Sequence, residues 1–393
     1  MTPAGSLNEL AASGLLRGLR PLDSPAGVQI VRDGRTLWNF ASNDYLGLSG
    51  HPRITAALIE GVQRYGAGST ASRLVCGTLP PHRLLEEALA AAKRTEAALT
   101  FSSGFATALG VIPAVVGKSD FVFLDKLSHA CLVDGARLSG ATLRIFPHND
   151  LAKLSRLLAS TREKFPAARI LVVTESVFSM DGDCCPLRGI LELVEAHDAL
   201  LLLDEAHGFG VLGESGMGLA ERENLQQRIT FQMGTLSKAA GLAGGYLAAP
   251  RVWIDLIVNR ARSFIYSTAP PPALAHAALD AGLAVVVDKP FAVTTRQGRD
   301  LIEAALQTRK GVVLLTPHMG SFEVAAQAYA ERFGARQPIT VLYRPARQAW
   351  LRQLEETARA RDHLATAPAQ LSGVRLMLRA LRRGETVGLL PDQ

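Results

Sequence analysis

Leu200-Leu201-Leu202-Leu203-Asp204-Glu205-Ala206-His207-Gly208 decides how this chain is read. Four apolar residues without alternation predict a strand buried on both faces. That strand ends on a carboxylate, which is costly in an apolar interior unless a cationic partner keeps it ionised. A protonated ring nitrogen is such a partner, and His207, three residues on, reaches the same ligand from the next turn. Five further runs have this character: Ala98–Phe101, Phe121–Leu124, Ile170–Thr174, Ile229–Gln232 and Gly245–Ala248. Helical patterns lie between them at Arg83–Lys93, Leu151–Leu158 and Gly189–His197. This alternation predicts an α/β fold with a mostly parallel sheet covered by helices. Chemistry in such sheets collects at the carboxyl ends of the strands.

Two more strand ends carry unusual residues. Ile229–Gln232 leads into Gly234-Thr235-Leu236-Ser237-Lys238, where small neighbours permit the close approach and desolvation that a lysine attacking a carbonyl needs. Ala98–Phe101 leads into Ser102-Ser103-Gly104-Phe105 and then a helical pattern, a turn whose N–H groups can hold a phosphate at a helix N-terminus. Singly, each has a plain structural explanation: a helix cap, a surface lysine, an ordinary turn. Together and in this order they describe a pyridoxal phosphate site, with a lysine for the carbonyl, an acid for the pyridine nitrogen and a phosphate cradle.

The chain has 393 residues, and 48% of them are hydrophobic, enough for a substantial core. No apolar run approaches the roughly 18–20 residues that span a bilayer, and no signal peptide is visible at the start. Four cysteines, Cys76, Cys131, Cys184 and Cys185, form neither a disulfide framework nor a zinc pattern, so no metal and a cytoplasmic setting are expected. The net charge of +6 is uneven: from Lys289 onward there are sixteen basic and nine acidic residues. The basic residues are dispersed and lack interleaved stacking aromatics, so nucleic-acid binding is not expected. Basic residues near anionic head groups would allow weak membrane-surface contact by this segment.

Several runs resemble the α-oxoamine synthase family of pyridoxal-phosphate enzymes. They are Ser42-Asn43-Asp44-Tyr45-Leu46-Gly47-Leu48, Gly68-Ser69-Thr70-Ala71-Ser72-Arg73-Leu74, Leu127-Ser128-His129-Ala130 and Thr174-Glu175-Ser176-Val177-Phe178-Ser179-Met180-Asp181-Gly182-Asp183, with Asp204–Gly208 and Thr235–Lys238. The likeness covers about residues 10 to 288. It implies a three-layer α/β/α large domain of the fold-type-I aminotransferase kind and a homodimer. The branch it most resembles condenses L-alanine with a pimeloyl thioester, on CoA or acyl carrier protein, with loss of CO₂, in biotin synthesis. Glycine C-acetyltransferase, 5-aminolevulinate synthase and serine palmitoyltransferase types are the alternatives. By the resemblance, Lys238 holds the cofactor and moves the Cα proton, and Asp204 keeps the pyridine nitrogen protonated. His207 and Ser179 bond the phenolic oxygen or its surroundings, and His129 stacks on the ring. Gly104, Phe105 and Thr235 hold the phosphate, Asn43 the substrate carboxylate and Arg17 the acyl substrate.

After about Asp288 the likeness ends, and the family's C-terminal domain is not found. Val374-Arg375-Leu376-Met377-Leu378 is only faintly similar to its Arg-bearing strand. A second pattern suits this part better. Gly311–Leu315 is a strand leading into Thr316-Pro317-His318-Met319-Gly320-Ser321-Phe322-Glu323, and with Pro338–Pro345 and Gly384–Gln393 it resembles the lauroyl (lipid A) acyltransferase family. A strand-end histidine with a carboxylate a turn later can activate a hydroxyl for acyl transfer. By that likeness His318 is the base, Glu323 orients it, and Arg344 and Asp392 bind phosphate or shape the site. The expected organisation is an N-terminal segment 1–45, a cofactor-binding domain 46–288 and an incomplete α/β acyltransferase-like segment 289–393, a chimeric C-terminus that ends on an uncovered strand. Cofactor chemistry in the first part, a lipid-directed acyltransferase fragment and a non-catalytic chimeric product are the three readings this organisation leaves.

Overall fold

The computed structural model describes residues 2–282, 312–315, 329–330, 334–343, 362–368 and 371–389. The chain divides into two compact units, Met1–Ser42 and Asn43–Gln393. The first begins with the helix Pro3–Ala12, capped by the Thr2 hydroxyl, which accepts from the Gly5 N–H at 3.2 Å. An antiparallel hairpin follows, β1 (Gln29–Arg32) with β2 (Arg35–Trp38). Asp33 and Gly34 form its two-residue turn at φ 51° and 68°, the left-handed pair that a tight hairpin of this twist requires.

The second unit is built on a seven-stranded sheet: β3 (Ala97–Phe101), β4 (Phe121–Asp125), β5 (Thr142–Phe146), β6 (Ile170–Glu175), β7 (Leu200–Asp204), β8 (Phe231–Thr235) and β9 (Gly245–Ala249). Their order is β3-β9-β8-β7-β6-β4-β5. All neighbours run parallel except β9, which is antiparallel to both β3 and β8. β3 and β8 therefore point the same way, and the carboxyl ends of β3, β4, β6, β7 and β8 share one edge.

Alternate residues of each inner strand enter different cores. Leu202 and Val173 pack with Val111, Ile112, Ile254 and Ile257 of the helices Gly104–Val115 and Arg251–Arg260. Leu201, Leu203 and Val172 pack with Leu154, Leu158, Leu187 and Leu191 of the helices Leu151–Lys164 and Leu187–Ala196. The sheet is thus the middle of three layers, as the unbroken apolar runs require.

Past residue 311 a second sheet has β10 (Val312–Leu315), β11 (Ile339–Tyr343), β12 (Leu364–Pro368) and β13 (Thr386–Leu389), all parallel in the order β10-β13-β11-β12. One faint likeness is set aside here and one sequence expectation is corrected. Val374–Leu378 is not a strand but part of the helix Leu371–Arg382, which buries Met377 and Ala380 at helical spacing against Ala367 and Val387. The last strand is not an uncovered edge: it lies between β10 and β11 and bonds to both. The division expected near residue 288 falls outside the described residues, as do His318, Glu323, Arg344 and Asp392.

Candidate active site

A cavity of about 230 Å³ opens at the carboxyl edge of the seven-stranded sheet. This is the space of about eight water molecules. The strand ends supply its residues: Glu175 closes β6, Asp204 closes β7, Thr235 closes β8, and Ser103 opens the helix after β3.

Lys238 and His207 meet across it, Nζ to Nε2 at 2.6 Å, and the other ring nitrogen, Nδ1, lies 2.6 Å from the Tyr45 hydroxyl. Burial, and then the Lys238 and His129 charges, push His207 down to about 3. The imidazole is therefore neutral. It accepts from protonated Lys238 at Nε2 and donates from Nδ1 to Tyr45. Burial holds Lys238 below the ordinary lysine range, against the opposing pull of Asp204 and Glu175. Asp204 is buried and accepts from the Ala206 N–H at 2.9 Å. Burial raises its carboxyl to about 6, opposed by that hydrogen bond and by Lys238.

On the opposite side His129 caps the helix Ala130–Ser139, its Nδ1 accepting from the Cys131 N–H at 3.2 Å. Nδ1 is thereby an acceptor, and the neutral ring carries its proton on Nε2. Burial and Lys238 both lower its basicity.

The phosphate-binding end is formed by the first turn of the helix Gly104–Val115. The Ser103 hydroxyl accepts from the Ala106 N–H at 3.0 Å, while the Gly104 and Phe105 N–H groups have no intrahelical partner. A Cβ on Gly104 would lie 3.4 Å from Thr235 Cβ, so glycine leaves this cradle open. The Thr235 hydroxyl donates to the Gly244 carbonyl at 2.8 Å. Its proton is engaged, so in the 2.7 Å contact with Thr235 Oγ1 the donor is the Ser237 hydroxyl, which also lies on the cavity wall.

Of the residues singled out from sequence, Lys238, Asp204, His207, His129, Gly104, Phe105 and Thr235 line this one cavity. Ser179 does not line it. It sits four residues beyond the end of β6, in the turn whose Gly182 N–H bonds the Phe178 carbonyl. Asn43 is exposed at the start of the second unit, its Oδ1 3.4 Å from the Tyr45 hydroxyl. Arg17 lies exposed in the first unit, between its helix and its hairpin. Tyr45, Glu175 and Ser237 lie within the sequence motifs, which by themselves give them no role. Only the structure shows Tyr45 meeting His207, 162 positions away.

An amine that can approach a carbonyl, a buried carboxylate at the base and a helix N-terminus for an anion fit pyridoxal phosphate in chemistry and placement. Together with the three-layer fold, they define a pyridoxal-phosphate-dependent enzyme. The chain belongs to the class I and II aminotransferase family, whose model matches residues 35–324.

Within it, the chain is 51% identical over 290 residues to the 8-amino-7-oxononanoate synthase of Geobacter sulfurreducens, covering 73% of this chain and 72% of that protein. The solved serine palmitoyltransferase of S. paucimobilis, with a pyridoxal phosphate–myriocin adduct bound, superposes with a TM-score of 0.68 at 26% identity, over 84% of this chain and 79% of that one. The 8-amino-7-oxononanoate synthase of Francisella tularensis gives 0.54 at 27% identity, over 69% and 72%. A second family model, the bacterial lipid A biosynthesis acyltransferase, matches residues 283–393.

Proposed function

We propose that this chain is an 8-amino-7-oxononanoate synthase: it condenses L-alanine with a pimeloyl thioester, releasing CO₂ and the free carrier. The observation that carries the reading is the convergence of Lys238, Asp204, His207 and His129 on one cavity, in a chain half identical to enzymes of that name. Bound pyridoxal phosphate supplies an electron sink for the pair left when the amino acid loses its Cα proton.

The residues divide the remaining work. Asp204, dry and ionised at neutral pH, holds a proton on the ring nitrogen. Lys238 would hold the cofactor through Nζ, and its amine is the group on the cavity wall placed to move the Cα proton. Its lowered basicity suits both tasks. His207 orients Nζ through the 2.6 Å contact, and Tyr45 holds the other ring nitrogen of His207. His129, on the cavity wall, would stack on the ring by the family likeness. The amides of Gly104 and Phe105 would hold the phosphate, with Thr235 assigned beside them on the family likeness. Asn43 and Arg17 stay assigned to the substrate carboxylate and acyl chain on the family likeness.

The test is the visible absorbance of the protein with added pyridoxal phosphate. A new band should appear in the wild type and be absent from Lys238→Ala; an identical spectrum in that variant refutes the assignment.

A homodimer is part of the proposal, checked by light scattering of the loaded protein. So is a cytoplasmic setting, supported by cysteines that are all free in the described fold. The second family match, over residues 283–393, supports a distinct C-terminal segment beginning near residue 288; contact of its basic residues with anionic membrane surfaces rests on charge alone and is checked by vesicle sedimentation. His318→Ala is expected to leave alanine condensation unchanged.

A further inference from the structure

Three carboxylates close three adjacent strands: Asp204 on β7, Glu175 on β6 and Asp125 on β4, with β6 in the middle of the order β7-β6-β4. Glu175 pairs in register with Asp204. All three side chains are buried, with Glu175 2% exposed, Asp204 4% and Asp125 1%.

The two outer carboxylates have partners for a negative charge. Asp125 faces the imidazole of His148 at 3.0 Å and accepts from the N–H groups of Leu127 and Asn149, both at 2.9 Å. Asp204 accepts from Ala206 and faces the cavity where a protonated ring nitrogen would sit. Among the described residues Glu175 has one donor, the main-chain N–H of His129 at 2.5 Å. The charged groups that act on it are Asp204 and Asp125 on its flanks and Lys238 across the cavity; the nearby thiol of Cys131, pushed up to about 12 by burial, is uncharged.

Two neighbouring anions and one cation leave the central carboxyl as the one that keeps a proton. We propose that Glu175 is a positioning residue that works as an un-ionised carboxylic acid, fixing the main chain of His129 and leaving the negative charge beside the cofactor ring to Asp204. The proposal rests on the pyridoxal-phosphate reading of the cavity for its catalytic meaning, though not for the protonation state. Burial and the Asp204 charge, the two largest influences, agree with it, raising Glu175 to about 8.

A neutral Glu175 is well imitated by glutamine, whose amide oxygen can accept the same N–H, and badly by alanine. The experiment has two arms. In the first, infrared spectra of the full-length protein without cofactor are taken from pH 6 to 10, unlabelled and with carboxyl-labelled glutamate. The carbonyl band of a protonated glutamic acid is expected at neutral pH, fading near and above pH 8 and missing from Glu175→Gln. In the second, pyridoxal phosphate affinity at pH 7 is measured by absorbance. Glu175→Gln should bind within about threefold of wild type, and Glu175→Ala at least about tenfold more weakly. Above pH 8 the wild type should weaken while Glu175→Gln does not.

Absence of a protonated-glutamate band at neutral pH overturns the proposal, and so does a Glu175→Gln variant as impaired as Glu175→Ala. The labelled wild-type spectrum decides the matter if neither variant folds. A wild type that shows the band but takes up no pyridoxal phosphate upholds the protonation state and refutes the reading of the cavity instead.

Discussion

Replacing Arg73 by Met should cost this fold several kcal/mol although Arg73 touches no cavity residue. Its side chain is 5% exposed and that of its partner Glu86 13%. The guanidinium makes a forked contact, Nη1 to Oε1 at 2.8 Å and Nη2 to Oε2 at 3.1 Å. It also donates to the hydroxyls of Thr78 and Thr100, each at 3.0 Å, and lies 5.4 Å above the Phe264 ring. Glu86 in turn accepts from the Thr100 N–H at 2.8 Å.

Methionine fills much of the volume but leaves a nearly dry carboxylate with only the two Thr100 donors. Removing one member of such a pair costs about 3–5 kcal/mol, a large share of a total stability of about 5–15 kcal/mol. Lysine should not rescue fully, because a point charge cannot make the fork. Arg73→Met with Glu86→Leu should lose less than the sum of the singles by about 1–3 kcal/mol. Urea unfolding of the four proteins at pH 7, followed by far-ultraviolet circular dichroism, measures the cycle. A loss under about 1 kcal/mol for Arg73→Met would refute the reasoning, since it would place the pair with solvent-screened surface bridges. The site should feel the change: Thr100 lies on β3, whose end leads to Ser103 and the phosphate cradle.

Asp204→Asn should keep cofactor bound yet slow Cα–H exchange of L-alanine by at least about a hundredfold, because an amide cannot hold the ring nitrogen's proton; near-normal deuterium exchange by NMR counts against the role. His207 has its pKa depressed to about 3, so the unfolded chain, with histidine near 6.5, takes up a proton first. The resulting stability is present above about pH 6.5 and lost as pH falls towards 3, at up to about 1.4 kcal/mol per pH unit; urea midpoints of wild type and His207→Gln between pH 7 and 5 should converge as the pH drops. Gly245→Ala places a Cβ 2.4 Å from the Ser103 carbonyl oxygen, so backbone must move, at about 1–3 kcal/mol, with weaker phosphate affinity by titration; unchanged stability and affinity together would contradict the packing.

How much of this was legible in the sequence follows from how each signal arises. β4, β6 and β7 announced themselves because strands buried on both faces cannot alternate, and their polar ends stand out against apolar runs. β5 was missed because it is an edge strand with Arg144 and Ile145 exposed, so no unbroken run marks it. β8 begins two residues later than the run suggested, since Gln226–Arg228 takes a tight turn first. The reversal of β9 carries no compositional trace: Gly245–Ala249 reads the same in either direction. Glu175 sat in a quoted motif, but its meaning depends on which strands flank β6, a property of sheet order. Val374–Leu378 is only faintly similar to a strand in sequence, because five residues cannot separate a strand from an amphipathic helix. Only the longer spacing through Met377 and Ala380 does so.

Placement along the chain separates cofactor chemistry from whatever the C-terminal sheet contributes. Every described residue lining the cavity lies between Ser103 and Lys238, and the seven-stranded sheet has helices on both faces from residues before 283. Holding the ring, its proton and its phosphate therefore asks nothing of β10–β13. The second sheet, all parallel, needs cover of its own; Leu371–Arg382 supplies it with Met377 and Ala380, while Val374, Leu376 and Leu378 of that helix stay exposed. The two family models overlap over residues 283–324, a stretch that includes β10. A change such as His318→Ala should accordingly leave the visible absorbance of bound pyridoxal phosphate as it is. Loss of that absorbance would mean that the C-terminal segment supports the cavity through contacts beyond the residues that line it.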